Sequence, residues 1–140
     1  MDDEAIVTDG TQMHNLHKDI FYMPDTTLAF IGVPYHVATF SLFEYQAIAV
    51  AALFSGKAKL PELTEMKEEY RQRLIKKGSG KAFHSLKNEE VEYVDSLVQW
   101  INRDGKLDGE NAVQGHSQEW KSLKEDLLER IKSRYELSRQ

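Results

Sequence analysis

Apolar positions change their spacing several times along the chain. Ala5-Ile6-Val7-Thr8 is a short apolar run, Asp9-Gly10 follows it, and Thr11 to Met13 can return beside it. Glycine accepts a positive φ without a Cβ clash, so this pattern predicts a short hairpin. Leu16, Ile20 and Phe21 then lead into Met23-Pro24-Asp25, where the proline stops any helix. Thr27-Leu28-Ala29-Phe30-Ile31-Gly32 is apolar without alternation, which predicts a strand buried on both faces. Val33-Pro34-Tyr35-His36 is the loop after it. Ser41-x-x-Glu44 forms a capping box and predicts a helix start. From Leu42 to Phe54 the helix is apolar nearly all round, and such a helix has to be enclosed. Ser55-Gly56 ends it.

After Pro61 the pattern becomes polar with helical spacing. Leu63, Met66, Tyr70 and Leu74 form one stripe, closed by Gly78. Asn88 is placed to cap a second helix with the stripe Val91, Val94, Val98, Ile101, closed at Asp104-Gly105. Ser117 is placed to cap a third, with the stripe Trp120, Leu123, Leu127, Ile131, Tyr135. The predicted fold class is therefore an α/β fragment: short strands or a hairpin, one buried β-loop-α unit, then about three amphipathic helices. The cover looks insufficient. A strand of the parallel type comes with neighbours joined by crossovers of a dozen residues or more, and there is room for about one such neighbour.

Charge follows the same division. Residues 1–56 carry seven acids and one base, net −6, whereas residues 57–140 carry 16 acids and 17 bases, net +1. The whole chain of 140 residues has a net charge of −5 and no cysteine. That excludes a disulfide scaffold, a thiolate zinc site and a thiol nucleophile. The acidity argues against a nucleic-acid binder, which needs a basic face. The acidic start Met1-Asp2-Asp3-Glu4 does not read as a secretory leader. Leu42 to Phe54 spans roughly 20 Å at about 1.5 Å per residue, too short for a membrane span. A cytoplasmic location is expected from these features.

Four motifs fail on chemistry. Gly78-Ser79-Gly80-Lys81 resembles the end of a phosphate loop, but Ile75 stands where its first glycine belongs and Ala82 follows the lysine. In Asp104 to Gly109, Lys106 occupies the third position of a calcium loop and Gly115 the twelfth. His14-x-x-His17 with Asp19 lacks a further strong metal ligand at matching spacing, and the histidines read as surface residues. No Gly-x-Ser-x-Gly elbow is present. No catalytic residue and no metal ligand is assigned.

The unit of strand 27–32, loop 33–40 and helix 41–54 is different. Its loop lies beyond the carboxyl end of a buried strand and leads into a helix N-terminus, the place where open α/β sheets bind ligands. Free N–H groups and the helix dipole favour negative charge there. Gly32 admits close approach to the backbone. The same unit also reads as a plain β-loop-α connection.

These residues also carry a resemblance. Thr8-Asp9-Gly10-Thr11, Ile20-Phe21-Tyr22-Met23-Pro24-Asp25 and Thr27-Leu28-Ala29-Phe30-Ile31-Gly32-Val33-Pro34 occur in one order. Tyr35-His36-Val37-Ala38-Thr39-Phe40, Phe43-Glu44-Tyr45-Gln46 and Phe54-Ser55-Gly56-Lys57-Ala58-Lys59-Leu60-Pro61 follow. The succession resembles the C-terminal third of flavin-containing monooxygenases, fungal ones of the dimethylaniline monooxygenase type above all. It covers roughly residues 5–104. The resemblance implies two nucleotide-binding domains in a complete member, for FAD and NADPH. It also implies transfer of one oxygen atom to a soft nitrogen or sulfur of a small molecule. It places residues 1–60 as the returning part of the FAD domain and 61–140 as a polar helical tail. By position in the motif, Gly32, His36, Val37, Phe40 and Gln46 are the flavin neighbours. Val37 and Phe40 also read as ordinary core packing.

The departures are as informative. Both Gly-x-Gly-x-x-Gly fingerprints, for FAD and for NADPH, are missing from this sequence. So are the signature segment between them and the Thr-Gly-Tyr-type element. The expectation is a C-terminal fragment of such a monooxygenase, inactive as the isolated chain. The alternative is a small non-enzymatic helical binding module that uses helix 42–54 as its interaction surface. Self-association through that helix is a third option, since an exposed apolar patch calls for cover.

Overall fold

The computed structural model describes residues 4–139. Most of the acidic start, residues 1–3, lies outside them, so the leader question is not addressed by the fold. The described chain is α/β: a two-stranded antiparallel hairpin and four α-helices.

The hairpin joins β1 (Leu16–His17) and β2 (Phe21–Tyr22) with Leu16 opposite Tyr22 and His17 opposite Phe21. Its turn places Lys18 and Asp19 at φ values of 57° and 56°. The hairpin expected around Asp9-Gly10 shrinks to one bridge, Val7 to Met13. Its turn forms as expected: Asp9 Oδ1 accepts the Thr11 N–H at 3.0 Å and the Thr11 hydroxyl at 2.7 Å. Gly10 takes φ +82°.

The buried strand expected at 27–32 is not there. The segment runs extended with a single bridge, Ala29 to Phe21. Leu28 and Ile31 are 39% and 49% exposed. The Phe30 N–H and the Leu28 carbonyl bond toward the hairpin. No strand among the described residues lies on the other edge. The apolar side chains of the run have only one side to pack against, so they stay partly in solvent.

Helix α1 (Thr39–Phe54) starts earlier than the capping box predicts, and no side chain of its own N-terminus caps it. It is not enclosed either. Leu42, Gln46, Ala49 and Ala52 are buried. The opposite stripe of Phe40, Ala47, Ala51 and Phe54 is exposed. Helix α2 (Leu63–Lys77) follows Pro61 and ends at Gly78, as its stripe predicts. Helix α3 (Glu90–Gly105) carries the densest buried face, with Tyr93, Val94, Leu97, Val98 and Ile101. Asn88 does not cap it, because this residue sits at φ 64° and Glu89 takes the cap position. The core forms where α1 packs on α3, with Ile20 and Phe21 of the hairpin and Ala58 and Leu86 of the loops completing it.

Helix α4 (Gln118–Leu137) begins as predicted, with the Ser117 side chain accepting the Trp120 N–H at 3.1 Å. Its stripe is not buried: Leu123, Leu127, Ile131 and Tyr135 are 56–62% exposed. Among the described residues no helix is long and apolar enough to cross a membrane.

Candidate functional site

Two of the five predicted site residues meet directly. The Gly32 N–H donates to Gln46 Oε1 at 2.9 Å. Gly32 stands at φ +94°, and a Cβ there would lie 3.2 Å from the Phe43 ring. The position therefore calls for glycine on backbone and on packing grounds. Gln46 is fully buried. Because its oxygen is engaged, its Nε2 must find an acceptor, and it donates to the Tyr93 hydroxyl at 3.0 Å. The Tyr93 proton is then directed to the Lys18 carbonyl at 2.6 Å. Burial pushes the Tyr93 phenol well above its ordinary range, so it remains a donor. This one-directional chain ties the loop at Gly32 to the hairpin turn.

The other three predicted residues line the rim. His36 takes φ 58°, lies exposed, and shares a 2.9 Å hydrogen bond between Nδ1 and Ser85 Oγ. Val37 packs against the core. Phe40 is 88% exposed on the first turn of α1. Phe40 thus departs from its core-packing reading, whereas Val37 follows it.

The N-terminus of α1 is served from outside the helix. Glu90, fully buried on α3, accepts the Ala38 N–H at 2.9 Å. Its other oxygen meets the Lys124 ammonium from α4. Around this pair, His116 stacks on Trp120 with ring centroids 3.4 Å apart. The edge of Tyr45 meets His116 at 5.1 Å, and the Tyr45 hydroxyl donates to the Gln114 carbonyl at 2.8 Å. Burial lowers the His116 pKa and raises that of Tyr45. A helix N-terminus holds unpaired N–H groups in its first turn. Those of Thr39, Phe40 and Ser41 are thus the donors that α1 offers a ligand beside His36 and Phe40.

A second polar cluster escaped the sequence reading. Asp19 is fully buried in the hairpin turn. It accepts from Arg73 of α2 at 2.7 Å and faces His84 Nδ1 at 3.1 Å. His84 Nε2 accepts the Met13 N–H at 3.0 Å, so the ring proton sits on Nδ1 and points at Asp19. Arg73 also donates to the Phe83 carbonyl at 2.8 Å and covers the Phe83 ring at 4.4 Å. His14 and His17, expected on the surface, are buried at 7% and 5% exposure. His17 faces Glu69 of α2, and the His14 ring bonds the Thr8 hydroxyl at 3.1 Å. Only the clustering of Asp19 with histidines in the sequence hinted at this. Among the described residues no group of three His, Cys, Asp or Glu side chains is placed to hold a metal ion.

A cavity of about 510 Å³ opens beside this cluster, between the hairpin, α2 and α3, lined by His17, Lys18, Tyr70 and Tyr93 among others. None of the five predicted residues lines it. Its basic groups all pair with carboxylates: Lys18 with Glu69 at 2.7 Å, Arg73 with Asp19, and both Lys76 and Lys77 with Glu89.

No family model matches the sequence. The flavin-containing monooxygenase ustF1 of Aspergillus flavus is 52% identical over 118 residues, which is 84% of this chain and 30% of that protein. The flavin-containing monooxygenase ustF2 of the same organism is 44% identical over 132 residues, 94% of this chain and 27% of that protein. The structure of S-allyl-L-cysteine S-oxygenase from Allium sativum superposes with a TM-score of 0.76. That match covers 94% of this chain and 29% of the other, at 24% identity, and speaks to the fold alone. The chain thus spans under a third of the length of the relatives it matches. The ordered motifs from Thr8 to Pro61 and the identity to two fungal proteins point the same way: the chain is homologous to part of the flavin-containing monooxygenases.

Proposed function

We propose that this chain is the C-terminal part of an FAD- and NADPH-dependent monooxygenase that oxygenates soft nitrogen or sulfur centres of small molecules. The observation that carries the proposal is the open apolar face made by the run 27–32 and the exposed stripe of α1. Leu28 and Ile31, on a run with a free edge, and Phe40 and Phe54 of α1 are all between 39% and 88% exposed. An apolar surface of this kind requires a partner. The remainder of such a relative would supply it, with residues 1–60 returning into the FAD domain and residues 61–140 following as a polar helical tail.

The residues fit the flavin ring better than the rest of FAD. Gly32 and Gln46 would set the backbone beneath the ring. His36, Val37 and Phe40 would form its edge, with the first-turn N–H groups of α1 facing its electron-rich side. No glycine-rich turn is available for the pyrophosphate. When bound, the flavin supplies the redox chemistry, and this chain's part is to position it and exclude water.

The isolated chain is therefore expected to purify without flavin and to leave NADPH unoxidised. Flavin absorbance of the purified chain and an NADPH-oxidation assay with an amine or thioether test this. Stoichiometric FAD together with NADPH turnover would overturn the fragment reading. The second reading, a non-enzymatic interaction module, is favoured by the same exposed α1 stripe. A monodisperse monomer with one cooperative thermal transition would support it.

A further inference from the structure

Helix α4 presents an apolar stripe that nothing in the described residues covers. Leu123, Leu127, Ile131 and Tyr135 recur every four residues and are 56–62% exposed. The helix has 20 residues, about 30 Å of length at 1.5 Å per residue. Only its first turns are tied down, through Trp120 on His116 and Lys124 on Glu90.

The charges beside the stripe are ordered. By helical spacing Glu119, Asp126, Arg130 and Arg134 share one flank, since they are separated by seven, four and four residues. That flank is acidic in the N-terminal half and basic in the C-terminal half. Among the described residues none of these four takes part in an ion pair. With Lys124 spent on Glu90, the half up to Leu128 turns Glu119, Glu125 and Asp126 outward against Lys121 alone. The half from Glu129 to Arg139 holds four bases and two acids.

From this charge order we infer that α4 pairs with the α4 of a second copy of this chain, antiparallel and about a two-fold axis near Leu128 and Glu129. A two-fold interface applies each contact twice. Antiparallel alignment sets Asp126 of one copy beside Arg130 of the other, on both sides of the axis. It also brings Leu123 and Leu127 of one copy against Tyr135 and Ile131 of the other. Parallel pairing would place like charges together and align the two helix dipoles unfavourably.

Sedimentation equilibrium of the whole chain tests this over a hundredfold range of concentration. A monomer–dimer equilibrium is expected, weakened at least tenfold by L127E combined with I131E. The same loss is not expected from A47E on the exposed face of α1. D126R or R130D alone should weaken the dimer, and mixing the two variants should restore it as a heterodimer. A strictly monomeric wild-type chain would overturn the proposal. So would association that survives the double α4 variant, or two charge variants that do not rescue each other. Circular dichroism of each variant guards against loss of α4 itself, because these positions are exposed and should leave the folded spectrum unchanged.

Discussion

The Glu90 carboxylate accepts the Ala38 N–H at 2.9 Å, so the N-terminus of α1 is capped by a residue 52 positions away. A cap normally comes from the helix's own first residues. Here α3 supplies it, and Lys124 of α4 balances its charge. Three helices therefore converge on one carboxylate. Glu90→Ala leaves Lys124 without its counter-ion and Ala38 without an acceptor, and should cost roughly 3 kcal/mol in urea unfolding. Glu90→Gln keeps an acceptor for Ala38 and should cost less. Ser41→Ala, at the position where the sequence places a capping box, should stay within about 0.5 kcal/mol.

Gln46 joins Gly32 to Tyr93, and its removal should reach both ends. Gln46→Leu deprives a buried N–H and a buried phenol of their partner, at about 2–4 kcal/mol. Tyr93→Phe leaves the buried Gln46 Nε2 without its acceptor and the Lys18 carbonyl without its donor, so its cost should be comparable, but the Gly32 turn stays held by Gln46 Oε1. Gly32→Ala combines a φ of +94° with a Cβ 3.2 Å from Phe43 and should cost roughly 1–3 kcal/mol. Amide hydrogen exchange separates these cases. Residue 32 should lose protection in Gln46→Leu and keep it in Tyr93→Phe.

Asp19 organises a buried cluster of three elements: the hairpin turn, α2 through Arg73, and the 81–84 turn through His84. Asp19→Ala strands a guanidinium that is only 20% exposed and should lower stability by about 3–5 kcal/mol. Arg73→Lys retains the charge but loses the guanidinium plane that covers the Phe83 ring. It should lose a fraction of that amount, measured by the same denaturation.

What could be read in the sequence follows from where each element finds its partners. Helices α2 and α4 carry their boundaries in Pro61, Gly78 and Ser117, and α3 its core in Val94, Val98 and Ile101. Those signals are local. The run 27–32 and helix α1 are less enclosed than their pattern predicts, because an apolar pattern reports a need for cover, not its presence. Leu28 and Phe40 remain exposed for that reason. Ser41 does not cap because α1 already begins at Thr39 and carries Ser41 inside its first turn; the Ala38 N–H goes to Glu90, whose spacing of 52 residues is invisible to local patterns. The hydrogen bond between Gly32 and Gln46 has no signature in the spacing of the two residues. Tyr93 read only as part of an amphipathic helix.

His17 gives the fold a pH dependence of definite sign. Its side chain is 5% exposed. Burial drives its pKa from 6.5 down to about 4, with Lys18 pushing the same way and the Glu69 carboxylate opposing. Between these values the unfolded chain binds a proton that the folded chain does not. Stability is therefore full above pH 6.5 and declines as the pH falls toward 4. By pH 5 the loss attributable to His17 should be about 2 kcal/mol. Urea unfolding at pH 7 and pH 5 measures it directly. His17→Gln should flatten the difference, since glutamine does not titrate, while Glu69→Gln should steepen it by removing the one group that favours the protonated ring. A wild-type chain equally stable at both pH values would mean that His17 is more hydrated than its burial between β1 and α2 indicates.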